Sequence, residues 1–343
     1  MRFFDRALGF APLGVLVGVV ALGATHRAQV FPIAALGALV FLGVAALAEV
    51  RLRRLMPEST HGRMAPWRHP SGSVLARPLD FVASSRVISS WLEPLPIAVM
   101  ESDIEDVVYV NYLLEAEKLE PFVPYGLALD RIGPGGKYAL FSFLTYRHGH
   151  FGFRFLGPLR KLMPSPIQTN WRIHVKDPRT GTAGIYFVTN AIDYAMPALA
   201  ARLFTEGMPM HVFARSSIVR DPTTGRIVLD FDPGAGTAPD AKASLVPCEA
   251  PELAGRWQEA FGDYRGFLEY TIPQNRAMSG QPWHERVTRH EIELPVDLDK
   301  VEPLAGEVES RAGAAIVGSE RPACFRVAGL HFVFSAELHD PVR

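Results

Sequence analysis

The sequence predicts an α+β protein in which two N-terminal transmembrane helices precede a mainly antiparallel, curled β-sheet domain with flanking helices. Two apolar runs, 7–26 and 28–48, carry no formal charge, and each reaches the roughly 20 residues that cross a bilayer. Two loops of one chemistry, Asp177-Pro178-Arg179-Thr180-Gly181 and Asp221-Pro222-Thr223-Thr224-Gly225, sit between stretches rich in β-branched and aromatic residues. Such hairpins join antiparallel neighbours. Short stretches of helical periodicity fall between and after them.

Taken in order, the two apolar runs are dense in Leu, Val, Ala and Gly, with Pro12 and Pro32 placed for first turns, where proline costs a helix least. Only Thr25-His26-Arg27 separates them, so they form a hairpin with both outer ends on one side. Arg2 and Arg6 precede the first span and Arg51, Arg53 and Arg54 follow the second, against one arginine in the turn. The positive-inside tendency then puts both ends in the cytoplasm. A signal peptide with a cleavage site near Ala21-Leu22-Gly23 is the rival reading, but the second span would still anchor the chain. Division follows as a transmembrane hairpin over 1–55, a linker over 56–78 and one domain over 79–343. The spans are expected to add nothing to the core of that domain. The linker is expected to lie along anionic headgroups through Arg63, Arg68 and Arg77.

Residues 79–93 have helical spacing of apolar side chains and end before Pro94. Strands are expected at 107–113 and 138–146, with Gly133-Pro134-Gly135-Gly136 turning the chain before the second. The first hairpin pairs 170–175 with 183–189, and the second pairs 211–219 with 226–231. Helices are expected at 196–206 and 251–264, and strands at 287–294 and 328–338.

Composition excludes some functions. With 48% hydrophobic and 21% charged residues the chain must bury a core, and a net charge of −1 gives no broad basic surface for nucleic acid. Cys248 and Cys324 form at most one disulfide and read as two thiols in a reducing compartment. No cofactor fingerprint is complete, since Gly234-Ala235-Gly236 lacks a third glycine. No metal site is assigned, because His284-Glu285 and His290 have the wrong spacing for a zinc helix. Tyr146 to His150 reads as an exposed loop.

The first hairpin carries the most chemistry. With its turn centred near Arg179, Trp171 lies opposite Phe187 and Ile173 opposite Ile185, leaving Asn170, Arg172 and His174 on the other face with Tyr186 across from Arg172. A guanidinium with those donors suits a carboxylate or carbonyl. Glu269 is a candidate carboxylate to complete Arg172.

The stretch QTNWRIHVKDPRTGTAGIYFVTNAIDYAMPALAARLFTEGMPMHVFA, residues 168–214, resembles the core of the YqjF-like DUF2071 family. LEPFVPYGL at 119–127, FLEYT and RHEIELPV resemble its other motifs, over about 100–300. That family is similar in fold to acetoacetate decarboxylase, whose Schiff-base lysine lies in a Gly-Phe-Pro-Lys turn after a Gly-Arg-Glu helix. Laid on Ala201-Arg202 and Gly207-Met208-Pro209, the pattern puts Met210 at the lysine, and a thioether forms no imine. The acidic residue expected near the start of the Arg172 strand is also absent. The resemblance then implies a cavity lined by Arg172, Tyr186, Arg202 and His211.

Three functions follow as expectations: a membrane-anchored domain binding a small acidic or carbonyl ligand; an enzyme on small keto or carboxylic acids using His211 or His174 for proton transfer; and a scaffold whose polar hairpin face meets a membrane-protein partner or a second copy of the chain. The lipid bilayer is a partner in each.

Overall fold

A computed structural model describes residues 3–25, 30–93, 95, 98–272, 275–335 and 337–342. Helices α1 (Phe3–Thr25) and α2 (Val30–Leu55) pack against each other. They run antiparallel, with Gly37 beside Val19 and Gly9 beside Leu52. At Gly37 a Cβ would sit 2.2 Å from a Val19 methyl, so only glycine allows this approach. The expected turn lies outside the described residues. Pro12 falls inside α1 rather than in its first turn, because the helix begins at Phe3. Among the described residues one stretch, Ala34–Leu55, is long and apolar enough to cross a membrane.

The expected helix over 79–93 is divided at Ser85 into α3 (Arg77–Ser84) and α4 (Arg86–Leu92). Ser85 is extended and its hydroxyl accepts from the Ile88 N–H, as an N-cap does. Glu49 of α2 completes that cap, accepting from the Ser85 hydroxyl and the Arg86 and Val87 N–H groups. Ala48 and Leu52 are wholly buried against Met56, Met64 and Val87. The end of the second apolar run is therefore part of the core, contrary to expectation. Nor is 56–78 a solvated tether. Arg63, Met64 and Trp67 are buried in it, and of the three arginines expected at headgroups only Arg68 and Arg77 are exposed.

The rest of the chain comprises β1 (Met100–Glu115), α5 (Ala116–Leu119), β2 (Ala128–Leu129), β3 (Tyr138–Phe153), β4 (Ile167–Lys176), β5 (Ala183–Ile192), α6 (Ala195–Phe204), β6 (Met210–Val212), β7 (Arg215–Arg220), β8 (Ile227–Asp232), β9 (Ala241–Pro247), α7 (Arg256–Phe261), α8 (Tyr264–Thr271), β10 (Arg276–Gln281), β11 (Arg286–Glu293), β12 (Glu302–Glu309), α9 (Arg311–Val317), β13 (Ala323–Phe334) and β14 (Leu338–Pro341). The expected strand over 211–219 breaks at Phe213-Ala214 into β6 and β7, and the expected helix over 251–264 begins only at Arg256, with α8 following Gly262.

The sheet is mostly antiparallel, as expected, and it runs β14-β11-β10-β5-β4-β3-β1-β13-β12-β9-β8-β7. Its curl goes to closure. β11 also pairs with β13 through Ile292 with Phe334 and Glu293 with Val333, so β11, β10, β5, β4, β3, β1 and β13 form a ring without a free edge. One cluster, with Tyr109, Leu144, Phe187, Phe325 and Phe334, fills the inner face, and α8 adds Phe267 and Leu268. Outside, Trp171 stacks on Phe143 at 4.9 Å and meets Phe141 edge-on, in a second cluster that continues to Leu229 and Leu245 of β8 and β9. Both faces of the ring are buried. Cys248 and Cys324 are free thiols.

Candidate functional site

The β4–β5 hairpin sets the site. Its loop is closed by Asp177 N–H to the Thr182 carbonyl, and Gly181 takes a φ of +70° that favours glycine. The turn thus centres half a residue beyond Arg179, pairing Lys176 with Ala183 and His174 with Ile185. Arg172 stands opposite Phe187, not Tyr186, and a bulge follows between Trp171 and Arg172. A shift of one residue exchanges the faces of a strand. Ile185 and Phe187 therefore share the inner face with Arg172, while Tyr186 joins Trp171 and Ile173 outside.

Inside the ring, Asn170 and Arg172 line an apolar cavity of about 40 Å³, with Tyr109, Tyr146, Phe187, Met208 and Phe332 among its walls. A water needs about 10–15 Å³ by this measure, so there is room for a group of a few heavy atoms. Arg172 is 3% exposed. Its Nη2 donates to the Thr271 carbonyl at 2.9 Å, and its Cζ lies 5.4 Å from the Tyr109 ring centroid. Thr271 ends α8, where carbonyls carry partial negative charge, which compensates the guanidinium in part. No carboxylate lies within 4 Å of Arg172 among the described residues, and its Nε has no hydrogen-bond partner. Burial lowers its pKa, with Tyr109 opposing. Burial raises the pKa of the phenols of Tyr109 and Tyr146.

A chain of buried polar groups orients this wall. Ser102 meets His148 Nδ1, His148 Nε2 meets the Gln168 carbonyl oxygen at 2.9 Å, and Gln168 and Asn190 both donate to Asn170 Oδ1. Asn170 in turn donates to the Tyr146 hydroxyl at 3.0 Å. Tyr146 and His148 are thus buried strand residues of β3, not an exposed loop. The signal was present as polar residues at every second position of β4, Gln168 to His174.

The other expected site residues lie elsewhere. His174 stacks on Tyr270 and His211 meets Thr237 at 2.9 Å. Burial holds both imidazoles well below their usual pKa. Arg202 donates to the Ala83 and Ala65 carbonyls, tying α6 to α3 and the preceding segment. The Met210 side chain packs in the inner cluster, yet Met208 rather than Met210 borders the cavity. Glu269 is exposed and paired with Arg265, so it does not complete Arg172, because its position on α8 faces solvent. Tyr186 meets His61 Nδ1 at 2.9 Å. Every lysine, Lys118, Lys137, Lys161, Lys176, Lys242 and Lys300, is exposed.

One cluster escaped sequence reasoning because its members are remote in the chain. Glu93, Glu206 and His284 bring ligand-type atoms together, as do Glu206, Glu337 and His339. Arg286 Nη2 donates to both Glu93 and Glu206, supplying cationic charge where the carboxylates converge. His290 belongs to Glu337.

Residues 101–316 match the DUF2071 family, described as an uncharacterized conserved protein. No curated protein matches. Among solved structures, an acetoacetate decarboxylase-like enzyme from Sphingomonas wittichii RW1 is 11% identical, with 71% of this chain and 92% of that chain covered and a TM-score of 0.48. Acetoacetate decarboxylase from Legionella pneumophila is 12% identical, covering 72% and 86%, at 0.44. The enduracididine biosynthesis enzyme MppR, complexed with the condensation product of pyruvate and imidazole 4-carboxaldehyde, is 16% identical, covering 80% and 96%, at 0.44. These similarities concern the fold, and chemistry is read from the residues above.

Proposed function

The chain belongs to the DUF2071 family, and within it we propose a membrane-anchored binding protein for a small acidic or carbonyl ligand held inside the β ring. The observation that carries this reading is Arg172. A buried guanidinium is costly unless compensated. Here one helix-terminal carbonyl and the ring and hydroxyl of Tyr109 compensate it without a carboxylate, and a cavity adjoins it. A ligand carboxylate or carbonyl oxygen supplies the missing acceptor, while Tyr146 and Asn170 shape the wall.

Binding is favoured over catalysis. Among the described residues no histidine or carboxylate lines the cavity, so proton transfer near neutral pH has no carrier among them. With every lysine exposed, imine chemistry of the acetoacetate decarboxylase kind has no buried amine to use. Burial of Asn170, Arg172 and His174 also disfavours a scaffold that uses this face for a partner. The anchor is a two-span hairpin with both ends and the domain in the cytoplasm. Support comes from the exposed apolar side chains of both helices, Leu16, Val17 and Val20 on α1 and Leu36, Leu39 and Leu47 on α2, together with the arginines that flank them.

Small molecules released on denaturing the detergent-purified protein, read by mass spectrometry, test the assignment. An organic acid or carbonyl compound should accompany the natural protein and be missing from Arg172→Met. Equal retention by both overturns it.

A further inference from the structure

The segment over 74–84, a single 3-10 turn (Val74–Ala76) running directly into α3, is apolar on both sides. Its inner side is ordinary: Leu79 and Ala83 pack against the inner cluster, which also holds Trp67. Its outer side presents Val74 at 68% exposure, Leu75 at 90% and Phe81 at 59%, with Pro78 exposed between them. Positions 74, 78 and 81 follow the spacing of one helical face, so these side chains form one apolar stripe. Single exposed hydrophobic residues are common on proteins, but a contiguous stripe marks a surface that something covers.

The place of α3 in the fold says what covers it. The carbonyl of Ser84, its last residue, accepts from Arg53 Nη2 at 3.3 Å. The next residue, Ser85, donates its hydroxyl to Glu49 at 2.9 Å, and Glu49 also accepts from the Arg86 and Val87 N–H groups. Glu49 is the first charged residue after the apolar run 28–48, so on a bilayer-spanning α2 it marks the depth at which hydrocarbon gives way to headgroups. The end of α3 is therefore fixed at that depth. Phe81 stands three residues before Ser84, a rise of about 4.5 Å, and stays near the same depth whichever way the helix tilts. Exposed arginines flank the stripe. Arg77 lies in α3, Arg54 follows Arg53, and Arg68 is kept close because Asp80 accepts from the His69 N–H at 2.7 Å. Exposed apolar side chains with arginines beside them, at this depth, suit the boundary between acyl chains and anionic headgroups.

Resting on the anchored reading above, we propose that α3 is an interfacial helix: on the leaflet nearest the domain, Val74, Leu75 and Phe81 enter the upper acyl layer while Arg54, Arg68 and Arg77 lie among anionic headgroups. The domain is then held at three places, the two spans and α3, rather than swinging on a tether. Arg202 of α6 donates to the Ala83 carbonyl, so the contact passes directly to the body of the domain and sets how the β ring faces the bilayer.

Nitroxide labels on the full chain, reconstituted in vesicles of phosphatidylcholine and phosphatidylglycerol, test this. In a Cys248→Ser background the buried Cys324 is protected, and single labels go on Leu75→Cys, Phe81→Cys and, on the exposed face of the span, Leu39→Cys. Power saturation with oxygen, which concentrates in lipid, and with a water-soluble nickel chelate reads the depth of each. Labels at 75 and 81 should lie about 5–10 Å below the headgroup surface, as the apolar face of an interfacial helix does. The label at 39 should lie deeper, since it stands about 15 Å along α2 from Glu49. A deep label at 39 with labels at 75 and 81 open to the nickel chelate overturns this inference and leaves the anchor standing. A label at 39 in water overturns both. Labels at 75 and 81 shielded from both reagents would put a protein surface, such as a second copy of the chain, on the stripe and overturn the lipid contact.

Discussion

Replacing Arg172 with methionine separates a ligand-binding arginine from a structural one. The change removes one charged hydrogen bond, to the Thr271 carbonyl, a contribution of about 1.5–3 kcal/mol. It also removes the contact with the Tyr109 ring, about 1–2 kcal/mol at a desolvated site. Against these stands the cost of keeping a guanidinium in an apolar ring, which is several kcal/mol before compensation. Methionine fills a similar volume and is flexible enough to occupy part of the small cavity beside it. The opposing effects nearly cancel, and the variant should lie within about 2 kcal/mol of the natural protein. Over a domain of this size that corresponds to a Tm change of no more than about 4–8 °C.

The assay is thermal unfolding in detergent followed by near-ultraviolet circular dichroism, with both proteins stripped of ligand so that binding does not contribute. If Arg172 instead neutralised a buried carboxylate, losing it would leave that charge unpaired and cost about 3–5 kcal/mol. A fall in Tm beyond about 10 °C for the stripped variant would refute the reasoning.

Three further outcomes are expected. Burial first, and then the neighbouring Glu93 charge, raises the Glu206 carboxyl to about 7, against Arg286. Its folded pKa exceeds its unfolded one, so its contribution is intact at low pH and is lost as pH rises through about 7. Glu93, held low by His284 and Arg63 despite burial, loses its contribution only in acid. Stability should fall between pH 5 and pH 8 by up to about 3 kcal/mol from Glu206, and Glu206→Gln should flatten the profile; an unchanged slope sinks this reading. A chain beginning at residue 56 lacks Ala48, Glu49 and Leu52 and should be less stable in urea, by at least the 0.5–2 kcal/mol of a lost cap, than one beginning at residue 45; equal midpoints would show that α2 adds nothing. Borohydride reduction with acetoacetate should give no lysine adduct by peptide mass mapping, since no lysine is buried; a specific adduct would mean that the pocket opens to one.

Much of the fold was legible because local chemistry specified it. Asp177 to Gly181 fixed a hairpin, the polar alternation of β4 marked Arg172 as facing away from Trp171, and the motif-bearing stretch at 168–214 lies within the matched family region. Register was not legible. A loop longer than the simple turn is a tertiary choice, and it moved Tyr186 to the other face, while the bulge at Val188 shifts only the pairs beyond it. Closure was equally hidden, since it rests on two residue pairs between β11 and β13. Polar residues on every second position of a strand ordinarily face water, but in a closed ring covered on its outside neither face is wet. His148 and Asn170 are buried there because they satisfy one another through Gln168. Glu206 was unreadable for a different reason. Its partners stand at positions 63, 93, 286 and 288, and no local pattern links them.

The loop and the bulge fix different parts of this hairpin. An extra residue in β5 leaves Val188 out of the ladder with β4, and its carbonyl accepts from Gly62 instead. That bond brings the 57–64 segment down over Tyr186, with Arg63 buried beside Glu206 and the Leu203 carbonyl. On the other face, the same hairpin holds Phe187 opposite Arg172 and so leaves that guanidinium without a polar partner across the strand. A regular hairpin with Arg172 opposite Tyr186 would give the arginine a hydroxyl partner inside the ring. It would also remove the tyrosine that His61 and Gly62 close upon. The residue across from Arg172 thus depends on the loop over 177–182, and the seat of the 57–64 segment on the bulge at Val188. The β4–β5 unit therefore sets both the inner cavity beside Arg172 and the seat of the segment that covers Tyr186 outside.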